Sequence, residues 1–207
     1  MGANVFTAAF VKYQTKYFGY SHPSETGHTG FVNGQPLVDC SQLVYDGLIG
    51  AGYVLPIAAK NFSTYTLFNG DAFTNDAASY FQSPIYGPDV LNPNALQMGD
   101  IICFRSNNPS YYKNGQPVYE QHMGIFLGYN NDGSPIFYGS QSKGPATDII
   151  GAAGSYWNGG NETIVGALRP KDNIYNPQYD TTTTITYDVG FVNYWGRVRN
   201  VFPSHIP

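Results

Sequence analysis

Charge is scarce in this chain. Lysine and arginine together number 10 and aspartate and glutamate 14, for a net charge of −4, and no cluster of basic residues interrupts the deficit. Phosphate binding needs a basic footprint, so the sequence argues against a nucleic-acid partner. Cysteine is scarcer still. Cys40 and Cys103 are the whole supply, too few for a disulfide scaffold, although one bridge between them is allowed. The four histidines are scattered and the two cysteines lie far apart, so no zinc-ligand spacing exists and neither a metal nor a cofactor is expected. No run of about 18 apolar residues occurs, so no membrane span is predicted. Residues 1–5 lack a basic segment leading into an apolar core. No signal peptide is therefore expected, and action outside the cytoplasm would require another route of delivery.

What is abundant is aromatic and small. Aromatics make up 16% of the chain, led by 18 tyrosines, alongside 24 glycines, a composition common in proteins that work outside the cytosol or in phage particles. The length suits one domain with a sizeable core. Neither a repeat nor a linker divides the chain, so residues 1–207 are read as a single domain. Apolar and aromatic side chains at Val5, Phe6, Ala9, Phe10, Tyr13 and Tyr17 predict a first amphipathic helix over 4–17. Residues 18–36 read as a Gly-, Ser-, His- and Pro-rich loop. Asp39 is a good N-cap for a second helix whose apolar face is Cys40, Leu43, Val44, Leu48 and Ala51, ended by Gly50 or Gly52. Residues 57–95 read as irregular with one short helix near 71–81. Strands follow at 101–105, 121–128, 135–140 and 164–168, with 106–117 as a polar loop and Asn130-Asn131-Asp132-Gly133 as a hairpin turn. Helix first and sheet afterwards is an α+β pattern.

Two residues carry chemistry. Cys40 opens the second helix, where unpaired backbone N–H groups and the helix dipole favour a thiolate. His122 opens a strand in Gln121-His122-Met123-Gly124-Ile125, and an imidazole can take the thiol proton and return it to a leaving amine. The plain alternative for Cys40 is a buried structural thiol on an amphipathic helix. Cys103, in the apolar run Asp100-Ile101-Ile102-Cys103-Phe104, reads as a packed thiol.

With these elements placed, the chain resembles the NlpC/P60 family of papain-like cysteine peptidases, which cleave cell-wall peptides. Four signals occur in order: Asp39-Cys40-Ser41 for the nucleophile; Gly99-Asp100-Ile101-Ile102-Cys103-Phe104; His122-Met123-Gly124-Ile125-Phe126-Leu127-Gly128 for the histidine strand; and Phe137-Tyr138-Gly139-Ser140 where a third polar residue belongs. The likeness covers about 12–170, leaving 172–207 as a β-prone extension. It implies a catalytic helix packed on a central antiparallel sheet. The family has Gly after Asp-Cys-Ser where this chain has Gln42, which a helix accepts more readily.

The resemblance also implies roles. The third residue, normally His, Asn or Gln, aligns with Tyr138; Gln141 and Asp148 are its rivals, and a half-buried strand aromatic is the plain reading of Tyr138. A tyrosine near the oxyanion would be Tyr17 or Tyr20. Asp39 caps the helix and, with Ser41, stands where the family binds a free amine of the peptide. His22 and His28 lie in the loop before Cys40, and His205 lies in the tail.

The implied function is hydrolysis of an amide in peptidoglycan stem peptides, at the bond between D-γ-glutamyl and a diamino acid, in the periplasm or cell wall. A chain delivered without a signal peptide would be an interbacterial amidase effector, met by an immunity protein that plugs its cleft, or a phage component. The alternatives are a thiol acyltransferase or deamidase acting on a protein, and a non-catalytic wall-binding module.

Overall fold

The computed structural model describes residues 2–14, 18–20, 28–69 and 71–184. Helix α1 (Gly2–Gln14) buries Val5, Phe6, Ala9, Phe10 and Tyr13, the face that the apolar spacing predicts; Tyr17 lies outside the described residues. Helix α2 (Cys40–Gly50) buries Cys40, Leu43, Val44 and Leu48. The Asp39 side chain accepts from the Gln42 N–H at 2.7 Å and so caps it. Gly47 lets α2 wedge between α1 and the sheet: a Cβ there would stand 2.8 Å from the Val5 carbonyl oxygen and 3.2 Å from Ile125. The helix stops at Gly50, and Gly52 follows with φ +89.

The segment expected as a loop before Cys40 is partly a small sheet. Strands β1 (Gly19–Tyr20), β2 (Thr29–Val32) and β3 (Gln35–Val38) assemble in the order β1-β3-β2. The β2–β3 turn is Asn33-Gly34, with φ of 51 and 78, and two consecutive positive values are what a two-residue hairpin matching the twist of its strands requires. Beyond α2 come β4 (Ala51–Tyr53), the one-turn helix α3 (Thr64–Leu67), and the short strands β5 (Phe68–Asn69), β6 (Ala72–Phe73) and β7 (Ile85–Tyr86). The helix expected near 71–81 reduces to a single 3-10 turn, Ala77–Ser79.

The main sheet is antiparallel throughout, in the order β11-β10-β9-β8-β12-β7. Its strands are β8 (Ile101–Lys113), β9 (Gln116–Tyr129), β10 (Pro135–Gln141), β11 (Gly144–Ile149) and β12 (Glu162–Leu168). The polar loop expected at 106–117 is instead the far end of the β8–β9 hairpin. It turns at Asn114-Gly115, again with two positive φ values, and its register shifts around Pro109. β11 was not expected from the sequence.

Side chains alternate across this sheet and feed two cores. Cys103, Met123, Ile125, Leu127 and Tyr138 pack on the side of α1 and α2. Ile102, Phe104, Phe126, Phe137 and Ile164 pack on the opposite side with Ile150 and Trp157. Finally β13 (Tyr175–Asp180) pairs with β4. There Asp180 accepts from Asn4 Nδ2 at 2.7 Å, and Thr181 donates to the Gly50 carbonyl at 2.9 Å. The β-prone segment 185–207, with His205, lies outside the described residues. No described helix is long and apolar enough to cross a membrane.

Candidate active site

Cys40 is the first residue of α2, set into a seam of the sheet. The β9–β10 ladder runs from Pro135↔Tyr129 to Tyr138↔Ile125. Beyond it, the Met123 N–H turns to the Cys40 sulfur, which also receives the Tyr20 hydroxyl and the Ser41 N–H. On the β10 side, Ser140 Oγ donates to the Val38 carbonyl at 2.6 Å and ties that strand to the approach to α2. The sulfur is buried, and burial pushes its pKa up to about 12, helped by the charge of Asp39; the three donors pull the other way. The helix N-terminus was expected to favour a thiolate. Desolvation outweighs it, because removing water penalises the charged form more than a few N–H dipoles repay. The resting group is a thiol.

His122 precedes Met123 on β9, so the base candidate is one residue along the strand from the amide that holds the sulfur. Its ring belongs to the other face of the sheet, opposite Phe104 on β8. It stacks on Trp157 at 5.0 Å and 28° and is flanked by Phe104 and Phe137 at 6.1 and 6.3 Å. A Cβ on Gly139 would stand 3.4 Å from its Nε2, an ordinary contact, and 3.1 Å from the Met123 carbonyl oxygen, so β10 passes close beside the ring. The side chain is 8% exposed, and Nε2 is buried without a hydrogen-bond partner. Burial lowers its pKa to about 4, opposed by the charge of Asp148. The imidazole is not among the sulfur's hydrogen-bond partners, and its ring lies on the sheet face opposite the core that holds Cys40; only the backbone of β9, through Met123, links the two residues.

Of the three candidates for orienting that ring, two share its cavity. His122, Gln141 and Asp148 line a pocket of about 410 Å³, together with Tyr20, Ser140 and Trp157. Tyr138 does not. Its ring meets Phe6 and Phe10 edge-on at 5.4 and 5.9 Å on the helix side, where it packs as a core aromatic. Asp148 accepts from the Trp157 indole N–H at 2.7 Å and so fixes the ring that lies on the imidazole. Trp157 is the residue sequence reasoning missed. The available signal was a lone large aromatic pair, Tyr156-Trp157, within a Gly-, Ser- and Asn-rich stretch, since loops held on a rigid scaffold often carry function.

The remaining predicted residues fall as follows. Asp39 is 1% exposed. Its Oδ1 takes Gln42 N–H and Ser41 Oγ, the latter at 2.9 Å, while Oδ2 meets His28 Nδ1 at 2.5 Å. His28 Nε2 in turn faces the Lys60 carbonyl at 3.2 Å. Asp39 and Ser41 are thus committed to holding the helix start. Tyr20 touches the sulfur, whereas Tyr17 and His22 lie outside the described residues. Both cysteines are free, and Cys103 is fully buried in the same core as Cys40. Among the described residues, no group of three or more His, Cys, Asp or Glu gathers as a metal site would require.

The sequence matches no family model and no curated protein. A solved structure it is similar to is the crystal structure of an N-acetylmuramoyl-L-alanine amidase from Bacteroides uniformis ATCC 8492. Identity is 17%, 83% of this chain and 100% of that chain are covered, and the TM-score is 0.46. A likeness at that level carries no assignment of family or activity.

Proposed function

We propose that this protein is a cysteine hydrolase with an NlpC/P60-like fold, cutting peptide amide bonds of peptidoglycan with Cys40 as nucleophile and His122 as base. The observation that carries the reading is the Cys40 sulfur at a helix N-terminus, held by the amide of Met123 next to His122 and touched by Tyr20. In the proposed reaction the sulfur attacks the scissile carbonyl while its proton passes to the imidazole. The Cys40 N–H, unpaired within the helix, and the Tyr20 hydroxyl stabilise the tetrahedral oxygen. The C–N bond then breaks, His122 protonates the departing amine, and a thioester remains. Water attacks it, giving its proton to His122, and the thiol is restored as the acid leaves. With a resting thiol and a resting neutral imidazole, proton transfer accompanies attack and no stored ion pair precedes it.

The scissile bond in this reading joins D-γ-glutamyl to a diamino acid, and the site of action is the periplasm or cell wall. Asp148, acting through Trp157 and by its charge, takes the orienting role that Tyr138 is not placed to fill. If the enzyme is delivered as an effector, an immunity protein would cover the cleft. The high thiol and low imidazole pKa favour one competing reading, a non-catalytic wall-binding module.

Digestion of purified sacculi, followed by mass spectrometry of the released muropeptides, tests the proposal. Wild type is expected to release products split at a stem-peptide amide, while Cys40→Ala and His122→Ala release none. Products from Cys40→Ala equal to wild type would end the thiol mechanism. No products from the folded wild type would leave the binding module.

A further inference from the structure

Asp39 sets a buried carboxylate immediately before the nucleophile. After burial itself, that charge is what holds the Cys40 thiol's pKa up. In the proposed reaction it would equally oppose the negative charge that develops on the sulfur and on the tetrahedral oxygen, because burial leaves little water to screen it. A carboxylate acting alone would be a poor neighbour for a thiol nucleophile.

Asp39 does not act alone. His28, at the entry to β2, turns Nδ1 to Asp39 Oδ2 at 2.5 Å and Nε2 to the Lys60 carbonyl oxygen at 3.2 Å. Lys60 belongs to the 3-10 turn Ala59–Asn61. Ser41 Oγ donates to Asp39 Oδ1 and lies 3.2 Å from His28 Nδ1, to which it can offer a lone pair. Both ring nitrogens thus face acceptors. A neutral imidazole has one N–H and one lone pair, so it would turn that lone pair against either the carboxylate or the carbonyl. A ring carrying both protons satisfies the two together. The backbone fixes the ring in this position: the Asp39 N–H donates to the His28 carbonyl at 3.0 Å, and the next residue, Thr29, pairs with Val38.

We propose that His28 is a positioning residue of the thiol site: as an imidazolium it cancels the charge of Asp39 beside the Cys40 sulfur and clamps the start of α2 to the turn at Lys60. The proposal rests on the reading of Cys40 as the nucleophile and gives the histidine before β2 a part in that reaction. His28 acts through Asp39 and not on the reacting atoms. With the pair intact, the thiol has a net-neutral neighbour; with His28 removed, it faces a bare carboxylate.

Alkylation of Cys40 by iodoacetamide at pH 7, located by peptide mass spectrometry, reads the ionisation of the thiol without any substrate. His28→Gln removes the cation but keeps a donor for Asp39, and it should slow alkylation about tenfold or more. Adding Asp39→Asn removes the charge and keeps an acceptor for the Gln42 N–H, so the double variant should recover at least the wild-type rate. Hydrolysis of muropeptides should follow the same order, in kcat and not in KM. Nitrogen-15 NMR of wild type needs no substitution, and at pH 7 both ring nitrogens of His28 should carry a proton. Four results each overturn the proposal: equal alkylation of wild type and His28→Gln, a double variant as slow as His28→Gln, a wild-type Cys40 that resists alkylation altogether, or a His28 ring nitrogen with a free lone pair. The expected alkylation pattern without cleavage of sacculi by wild type would remove the hydrolase and leave the charge pair. Cleavage by wild type, with alkylation and kcat indifferent to His28→Gln, would remove the pair's role and leave the hydrolase.

Discussion

Acidification from neutral pH is expected to destabilise this protein through one ring. The folded-state pKa of His122 is about 4 because the side chain is buried under Trp157, whereas an unfolded histidine titrates near ~6.5. Well above ~6.5 both states carry a neutral imidazole, and the residue makes no pH-dependent difference. As the pH falls below that value, the unfolded chain takes up a proton that the folded chain refuses, so stability falls with pH. The loss grows to about 2 kcal/mol at pH 5 and levels off at about 3 kcal/mol below pH 4. Other groups titrate over the same range, so the assay is a difference. Urea unfolding of wild type and of His122→Gln is followed from pH 4 to 8. Glutamine has no proton to gain, so the gap between the two stability curves should change by about 2 kcal/mol between pH 7 and pH 5, whatever constant cost the substitution carries. Parallel curves would refute the reasoning. They would mean that the ring is solvated or paired in the folded protein, and the resting neutral thiol–imidazole description would fall with it.

Five substitutions address the site and its frame. Asp148→Asn keeps an acceptor for the Trp157 indole but removes the charge beside the imidazole. It should lower kcat about 10–100-fold with little change in KM, while Tyr138→Phe, measured in the same assay, stays within about twofold. Gly144→Ala forces a Cβ to 2.1 Å from the Phe18 carbonyl oxygen at φ +107 and should cost about 3 kcal/mol or more in urea unfolding. Gly133→Ala, with φ +85 and open space around it, should cost only about 1 kcal/mol. Cys103→Ser buries a hydroxyl in an apolar setting and should lose about 1–3 kcal/mol while keeping turnover; inactivity in a folded variant would mean that Cys103 takes part in the chemistry.

The sequence was most readable where local chemistry decides structure. Asp39 as a cap, the apolar spacing from Cys40 to Leu48 and the glycines after it define α2 almost to the residue. The far ends of β8 and β9 were harder, since that arm projects from the core and shows no apolar alternation; Tyr112 is 69% exposed. Its Asn114-Gly115 pair, like Asn33-Gly34, was the legible signal, masked by the prolines and asparagines around it. Tyr138 illustrates a different limit. Its face depends on pairing with Ile125 rather than with a neighbour one residue away, and a slip of one flips every side chain. Trp157 reaches His122 from a loop, where no periodicity announces the contact.

The clasp between Asp180, Thr181 and the two helices has a consequence for the order of folding. Thr181 and Gly50 are 131 positions apart, and Asn4 and Asp180 are 176 apart. Closing a loop of that size costs about 2 kcal/mol more than closing one of ten residues, so these contacts belong late on the folding route. During synthesis, the C-terminal end of the helix that begins with Cys40 stays unlatched until residue 181 has left the ribosome. The β8–β9 hairpin, whose partners are close in sequence, can form well before then.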